Sequence, residues 1–441
     1  MTETTDVRPF RGLRYGSCVD GDLSQLMCPP SDAITASEAA TLRRRNRHNA
    51  VHLELADERP GDTPENNRYT RAGALFRRWL DESILVREAS PAIFVVDEEF
   101  AFNGIRCHRR GLTALVRLEG YEKGIVIPHE HTTPAARAYR LALMKAAGAN
   151  FSPIMSLYRD SDDRLEGLIE AARRTEPTLT THLDGLSSYE MRTITEGRLL
   201  SEMSRAMASC KIFIADGHHR YEAALRYRDQ LDAAPGGLSP NAAARYVMMT
   251  LIPFDDMGLL VLPFHRLVGG LRYGDLAALK RGLDQAFEIE VMRGVPAASP
   301  EGAARAIESR LAVRPLEEVV MAVTGLEPGE THLLTLREGR RPAADRPPRE
   351  KCDVWLLHQK AIRPALGADV EAASVSFVHD AAEAVASVRR GEKQIAFLLR
   401  SLSMAQFAEV VERGQRLPPK STCFSPKLPT GLVFNSLLGD I

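Results

Sequence analysis

The stretch KIFIADGHHRYEAALRYRDQL, residues 211–231, decides how the chain reads, because a strand signal becomes a helix signal across five residues. KIFIA is a short apolar run of the kind that forms a buried strand. YEAALRYRDQL is rich in helix formers. Between them stand Asp216, Gly217, His218, His219 and Arg220. Asp216 occupies the N-cap position, where its carboxylate would accept from the first-turn amides. At about 100° per residue, Tyr221, Ala224, Leu225, Tyr227 and Leu231 spread over a broad face that also contains Arg220. A guanidinium entering a packed face needs an anionic partner. His218 and His219 are expected on the exposed first turn, beside amides that favour anions. Gly217 would let a ligand approach the backbone.

Strand, glycine, two histidines, arginine and helix together describe a phosphate cradle. Asp216 complicates it. Beside a phosphate it repels, unless a divalent cation bridges the two or it works as a base. This combination points to nucleotide chemistry with magnesium, with Asp216 as the metal contact. A plainer reading stands beside it: Asp216 only caps the helix, Arg220 pairs with a carboxylate and the histidines face water.

Outward from this element, residues 92–118 read as two strands joined at Asn103-Gly104, since Asn-Gly favours the positive φ of a tight hairpin. ASEAATLRRR and NNRYTRAGALFRRWLDESIL read as helices, the second amphipathic through Leu75, Phe76, Trp79 and Leu80. FSPIMSLY, RYVMMTLIPF and GLLVLPFHRLV are strand-like. Past about residue 270, helical stretches precede the short strands VVMAV, HLLTL, SVSFV and QIAFLL. The expected class is mixed α/β (α+β). A motif-bearing catalytic region would span residues 1–269, and an α/β subdomain residues 270–441.

The length of 441 residues suits two or three domains. A net charge of −1 recommends neither nucleic acid nor an anionic membrane as partner. No run approaches the roughly 20 apolar residues of a membrane span, and MTETTDVRPFRGLRY lacks a signal-peptide core. Six scattered cysteines without a C-x-x-C pair read as reduced thiols. A cytoplasmic protein is expected.

Other motifs carry candidate chemistry. GIVIPHEHT places His129, Glu130 and His131 after a strand-like run. If the strand continued, the histidines would share a face opposite Glu130; in a loop all three could converge, or simply meet solvent. Glu130 is the first candidate for a base taking a proton from a substrate hydroxyl, with His129 its neighbour or a phosphate contact. His129, His131, His218 and His219 match no zinc spacing. RPFRGLRY spaces Arg8, Arg11 and Arg14 three apart, as ligand contacts or a solvated arm. PPSDAI sets Asp32 after two prolines, aimed at a cleft or capping a helix. His265 and Arg266 are candidates for the same cleft. PPKSTCFSPK supplies Lys420, Ser421, Thr422 and Lys427, able to fold back with a positive charge; no glycine pattern supports a P-loop.

RPFRGLRY, CPPSDAI, NRYTRA, IPHEHT, ANFSPI, IADGHHRYEAAL, LPFHRL and LPPKSTCFSPKLPTGL occur in the order that resembles the domain of unknown function 1015 family. More distantly, the strand-D-G-H-H-R-helix element is similar to the phosphate-binding motif of the ParB/sulfiredoxin superfamily, and most to its serine-kinase branch. Residues 214–221 hold no cysteine, which disfavours sulfiredoxin chemistry, and the neutral charge disfavours a partition role. The family's usual tyrosine is Ser31 here, its aspartate before Arg140 is Tyr139, and two tyrosines near the C-terminus are Cys423 and Ser425. The resemblance implies a magnesium-dependent phosphotransferase moving phosphate between ATP or ADP and the hydroxyl of a small amino-acid-like molecule. Gly217, His218, His219 and Arg220 would hold the nucleotide, and Asp216 and Glu130 would serve catalysis. Arg11, Asp32 and Lys420 would contact substrate. A phosphoester hydrolase and a non-catalytic nucleotide-binding regulator are the alternatives.

Overall fold

The computed structural model describes residues 4–19, 22–160, 163–183, 185, 187–296 and 298–441. They divide into two compact units. The first gathers the described residues of Met1–Pro128 with Thr132–Leu259 and Pro426–Ile441; the second gathers His129–His131 with Leu260–Ser425. Both are mixtures of helices and sheets, so the class is α/β.

The first unit is built on a nine-stranded mixed sheet. Ile93–Phe102 and Ile105–Arg117 form the expected hairpin, with Asn103 at φ 51° and Gly104 at φ 77° between them. Tyr246–Pro253 lies antiparallel to Ile105–Arg117 and parallel to Ile154–Tyr158. Ile212–Asp216 follows, antiparallel to Ile154–Tyr158 and parallel to Val126–Pro128 at the sheet edge. Side chains alternate between faces, and both faces are covered. Ile93, Val95, Leu112, Ala114, Val247 and Met249 enter one core, while Ala92, Phe94, Leu115, Tyr246 and Met248 enter another.

Helix Pro134–Ala147 packs against both Arg68–Asp81 and His218–Asp232. The helices at 68–81 and 134–147 approach closely at Gly73, where a Cβ would sit 2.1 Å from the Ala146 carbonyl oxygen. Phe76 and Trp79 are buried as the amphipathic pattern requires, whereas Leu75 and Leu80 are only partly covered. The segment Asn435–Ser436 pairs with Ala149–Asn150 and ties the 426–441 stretch into this unit.

The second unit carries a six-stranded antiparallel sheet in the order Phe287–Val291, Thr331–Leu336, Val320–Thr324, Ile395–Leu398, His265–Val268, Val375–Val378. The units part at residues 259 and 260, not at the expected 269 and 270. His265–Val268 is hydrogen-bonded on both sides within the second sheet, so the strand belongs there. Among the described residues no helix is long and apolar enough to cross a membrane.

Candidate functional site

Residues 211–232 fold as a strand, Ile212–Asp216, a single glycine and a helix, His218–Asp232. The pairing of this strand with Ile154–Tyr158 is irregular between Ile214 and Asp216, and such irregularities re-aim the side chains at a strand end. Gly217 then takes φ 99°, a conformation glycine tolerates and other residues adopt at a cost. A Cβ here would also meet the Arg220 Nε at 3.0 Å. The strand-to-helix corner therefore needs this glycine twice over.

Asp216 is not the cap. Gly217 occupies the N-cap position and has no side chain with which to cap the helix. The Asp216 carboxylate instead turns to two cations: Lys427 Nζ donates to Oδ1 at 2.5 Å, and Arg220 Nη2 donates to Oδ2 at 2.7 Å. Burial pushes this carboxyl up, but Lys427 and Arg220 together outweigh burial and hold it well below the usual carboxylate range. Arg220 also donates to the Pro153 carbonyl at 2.5 Å. The anionic partner that a guanidinium on a packed face demands is Asp216 itself, four residues back.

His218 is buried, not exposed, because the start of this helix is covered on more than one side, with Arg220, Tyr221, Ala223 and Ala224 buried as well. His219 is half-buried, and its Nε2 accepts from the Thr133 amide at 3.0 Å. Thr132 and Arg137 both donate to Glu222, tying the first turn of the helix to the start of Pro134–Ala147.

A second charged group lies in the same unit. Arg140 donates to Oε1 of the buried Glu54 at 2.5 Å, and the Ser31 hydroxyl donates to the same oxygen at 3.2 Å. Asp32 stands exposed, 3.8 Å from Arg140 Nη2. The Tyr139 hydroxyl donates to the Glu54 carbonyl. Arg11 is exposed and donates to the Glu88 carbonyl at 2.8 Å, and Arg14 pairs with the Glu88 carboxylate.

The remaining sequence candidates belong to the second unit. His129 is buried, with Nε2 2.9 Å from the Thr422 hydroxyl and its ring edge-on to Phe407 and Phe424. Glu130 Oε1 accepts from the Lys420 amide at 3.1 Å, and His131 Nδ1 lies 3.2 Å from Arg416. Lys420 holds its ammonium over the Phe264 ring. His265 and Arg266 do not line a cleft as expected; they are buried at 1% and 0% exposure. His265 Nδ1 accepts from the Leu399 amide, and burial with the neighbouring Arg266 pushes its pKa down to about 4. Arg266 donates to His358 Nε2 and to the carbonyls of Phe264 and Pro419.

Sequence reasoning assigned no role to Glu54, Arg140 or the Pro153 carbonyl. An acid inside the apolar run VHLEL was a signal that Glu54 is buried and paired. The described residues hold no group of three or more His, Cys, Asp or Glu side chains able to bind a metal. Asp216, with both oxygens taken by cations, does not fit as a ligand of resident magnesium.

The fold and this corner define a two-unit α/β protein with a glycine-opened helix at a strand end. Residues 7–355 match the family model described as "Protein of unknown function (DUF1015)", and the chain belongs to that family. No curated protein matches the sequence. Among solved structures, a conserved hypothetical protein from Pyrococcus furiosus is 14% identical, over 71% of this chain and 92% of its own, with a TM-score of 0.36. A free serine kinase in complex with AMP is 13% identical over 71% and 88%, also at a TM-score of 0.36. The C-terminally truncated SbnI of Staphylococcus aureus is 11% identical over 75% and 90%, with the same score. These likenesses are too slight to carry an argument about this chain.

Proposed function

We propose that this protein is a nucleotide-dependent phosphotransferase acting on the hydroxyl of a small amino-acid-like molecule. One observation carries the reading: a helix of 15 residues opens at Gly217, an N-cap without a side chain of its own. Such an end offers backbone donors and a favourable dipole to a polyanion. In this proposal Gly217, His218 and His219 meet the phosphates of ATP or ADP. Arg220, engaged with Asp216 and the Pro153 carbonyl, positions the corner from behind. Phosphoryl transfer asks mainly for positioning and charge neutralisation. Glu130 is assigned the substrate hydroxyl proton, with His129 beside it, and Arg11, Asp32 and Lys420 are assigned substrate contacts. Magnesium is not given a protein site and enters only as a companion of the nucleotide.

Thermal denaturation with ATP or ADP, followed by product analysis with serine-like acceptors, tests the reading. Saturating nucleotide at 100 times Kd should stabilise the protein by about 2.7 kcal/mol, and Gly217→Ala should lose most of that shift. No shift in the unaltered protein, or an undiminished one in Gly217→Ala, counts against it. Phosphate release without an acceptor would indicate a hydrolase, and a shift without product a nucleotide-responsive binder.

A further inference from the structure

We infer that His219 is a pH-dependent latch: neutral, it fastens the start of helix Pro134–Ala147 to the first turn of helix His218–Asp232, and protonated, it lets go. Its consequence for a nucleotide rests on the proposed function; the latch itself does not. The Thr133 amide nitrogen lies 3.0 Å from His219 Nε2. A backbone N–H can only donate, so Nε2 must present a lone pair. The neutral ring then carries its proton on Nδ1, against the preference of free histidine for Nε2. Protonation sets a second donor on Nε2, facing the donor of Thr133, and the bond is lost.

The position gives this bond its effect. Thr133 is the N-cap of Pro134–Ala147, but its hydroxyl makes no cap hydrogen bond, and its amide is held by the other helix instead. Beside it, Glu222 Oε2 accepts from the Thr132 hydroxyl at 2.6 Å and from Arg137 Nη1 at 2.8 Å. Of the residue types in this seam, histidine is the one whose charge ordinarily changes between pH 5 and 8. The charges around the ring come from both helices. Glu222 on its own helix and Arg137 on the facing one are paired. Asp216, Arg220 and Lys427 are engaged with one another, and His218 acts on Asp216 as a further positive neighbour. A phosphate at this turn would favour the imidazolium, so nucleotide and latch oppose each other. Acidification or a bound phosphate would thus loosen the start of Pro134–Ala147, while the Glu222 bonds keep the helices together.

Nitrogen-15 NMR of the full chain, labelled in its 12 histidines and followed from pH 8 to pH 5, reads the tautomer directly. The signals missing from His219→Gln identify the ring, and at pH 8 they should show its proton on Nδ1. The Thr133 amide should exchange about tenfold or more below its intrinsic rate at pH 8 and lose that protection at pH 5. In His219→Gln the side-chain carbonyl replaces Nε2 and does not titrate, so protection should be the same at both pH values. Should that variant fail to fold, Thr133→Pro removes the donated hydrogen. One histidine should then leave the Nδ1-protonated form, with its titration midpoint raised by about 0.5 unit or more. The latch is overturned by a proton on Nε2 at pH 8, by Thr133 protection that ignores the titration of His219, or by a His219→Gln variant that loses protection on acidification. ADP that binds without moving the His219 signals would remove that phosphate contact from the proposed function and leave the latch. ADP binding with the other tautomer at pH 8 would remove only the latch.

Discussion

Lys427→Met isolates one of the two cations on Asp216 and tests whether the corner is held together electrostatically. Lys427 Nζ lies 2.5 Å from Oδ1, and the side chains of Lys427 and Asp216 are 25% and 15% exposed. Breaking a buried pair by removing one partner costs about 3–5 kcal/mol. Arg220 still holds Oδ2 and the lysine is partly wetted, so we expect a loss of about 2 kcal/mol. The carboxyl should also move up, because burial then opposes ionisation with one cation fewer. A carboxyl held below its unfolded value stabilises fully above that value and loses the contribution as pH falls through the folded pKa. The loss on acidification should therefore begin near the same unfolded value in both proteins, but be smaller and end at higher pH in Lys427→Met. Urea denaturation of Lys427→Met, Asp216→Asn and the double variant gives a coupling energy, expected at about 1–2 kcal/mol for groups in contact. A coupling within about 0.5 kcal/mol of zero, the scatter expected of independent sites, would refute the clamp.

Two further outcomes follow from packing and titration. Gly73→Ala would put a methyl 2.1 Å from the Ala146 carbonyl and force the helices at 68–81 and 134–147 apart, for a loss of about 1–3 kcal/mol; a fall in the thermal midpoint checks it. His265 has its pKa pushed from 6.5 down to about 4 by burial and Arg266, with His379 adding to and Asp380 opposing the effect. Its neutral form is the folded one, so its contribution is complete above pH 6.5 and declines as pH falls to about 4, by about 3 kcal/mol in total. His265→Gln should flatten the stability profile across that interval, and an unchanged slope would count against the assignment.

What was legible in the sequence was local. Asn103-Gly104 specified a hairpin because few other pairs accept two positive φ angles, and KIFIA followed by YEAALRYRDQL specified a strand and a helix by period alone. The demand of Arg220 for an anion was also readable from its helical face. Its answer was half hidden: Asp216 stood four residues away but was assigned to capping, since a cap and an ion pair look alike in one dimension. The lysine that completes the clamp is 211 residues distant, and nothing local marks Lys427 over Lys420. His218 was placed in solvent because helix phase says which residues share a face, not which neighbouring helix covers it. The strand Ser187–Ile194 went unread because its outward residues, such as Glu190, mask the alternation carried by Tyr189 and Met191.

The first unit is discontinuous, closed by residues 426–441 after the whole of 260–425 has intervened. During synthesis, the ammonium that Asp216 requires emerges from the ribosome some two hundred residues after the carboxylate does. Until then the nascent chain carries a buried-strand acid with one counter-ion missing and the Ala149–Asn150 edge unpaired. The second unit meets no such wait, since nearly all of its residues are contiguous. Maturation of the corner at Gly217 is thus a late, long-range event, tied to delivery of residues 426–441.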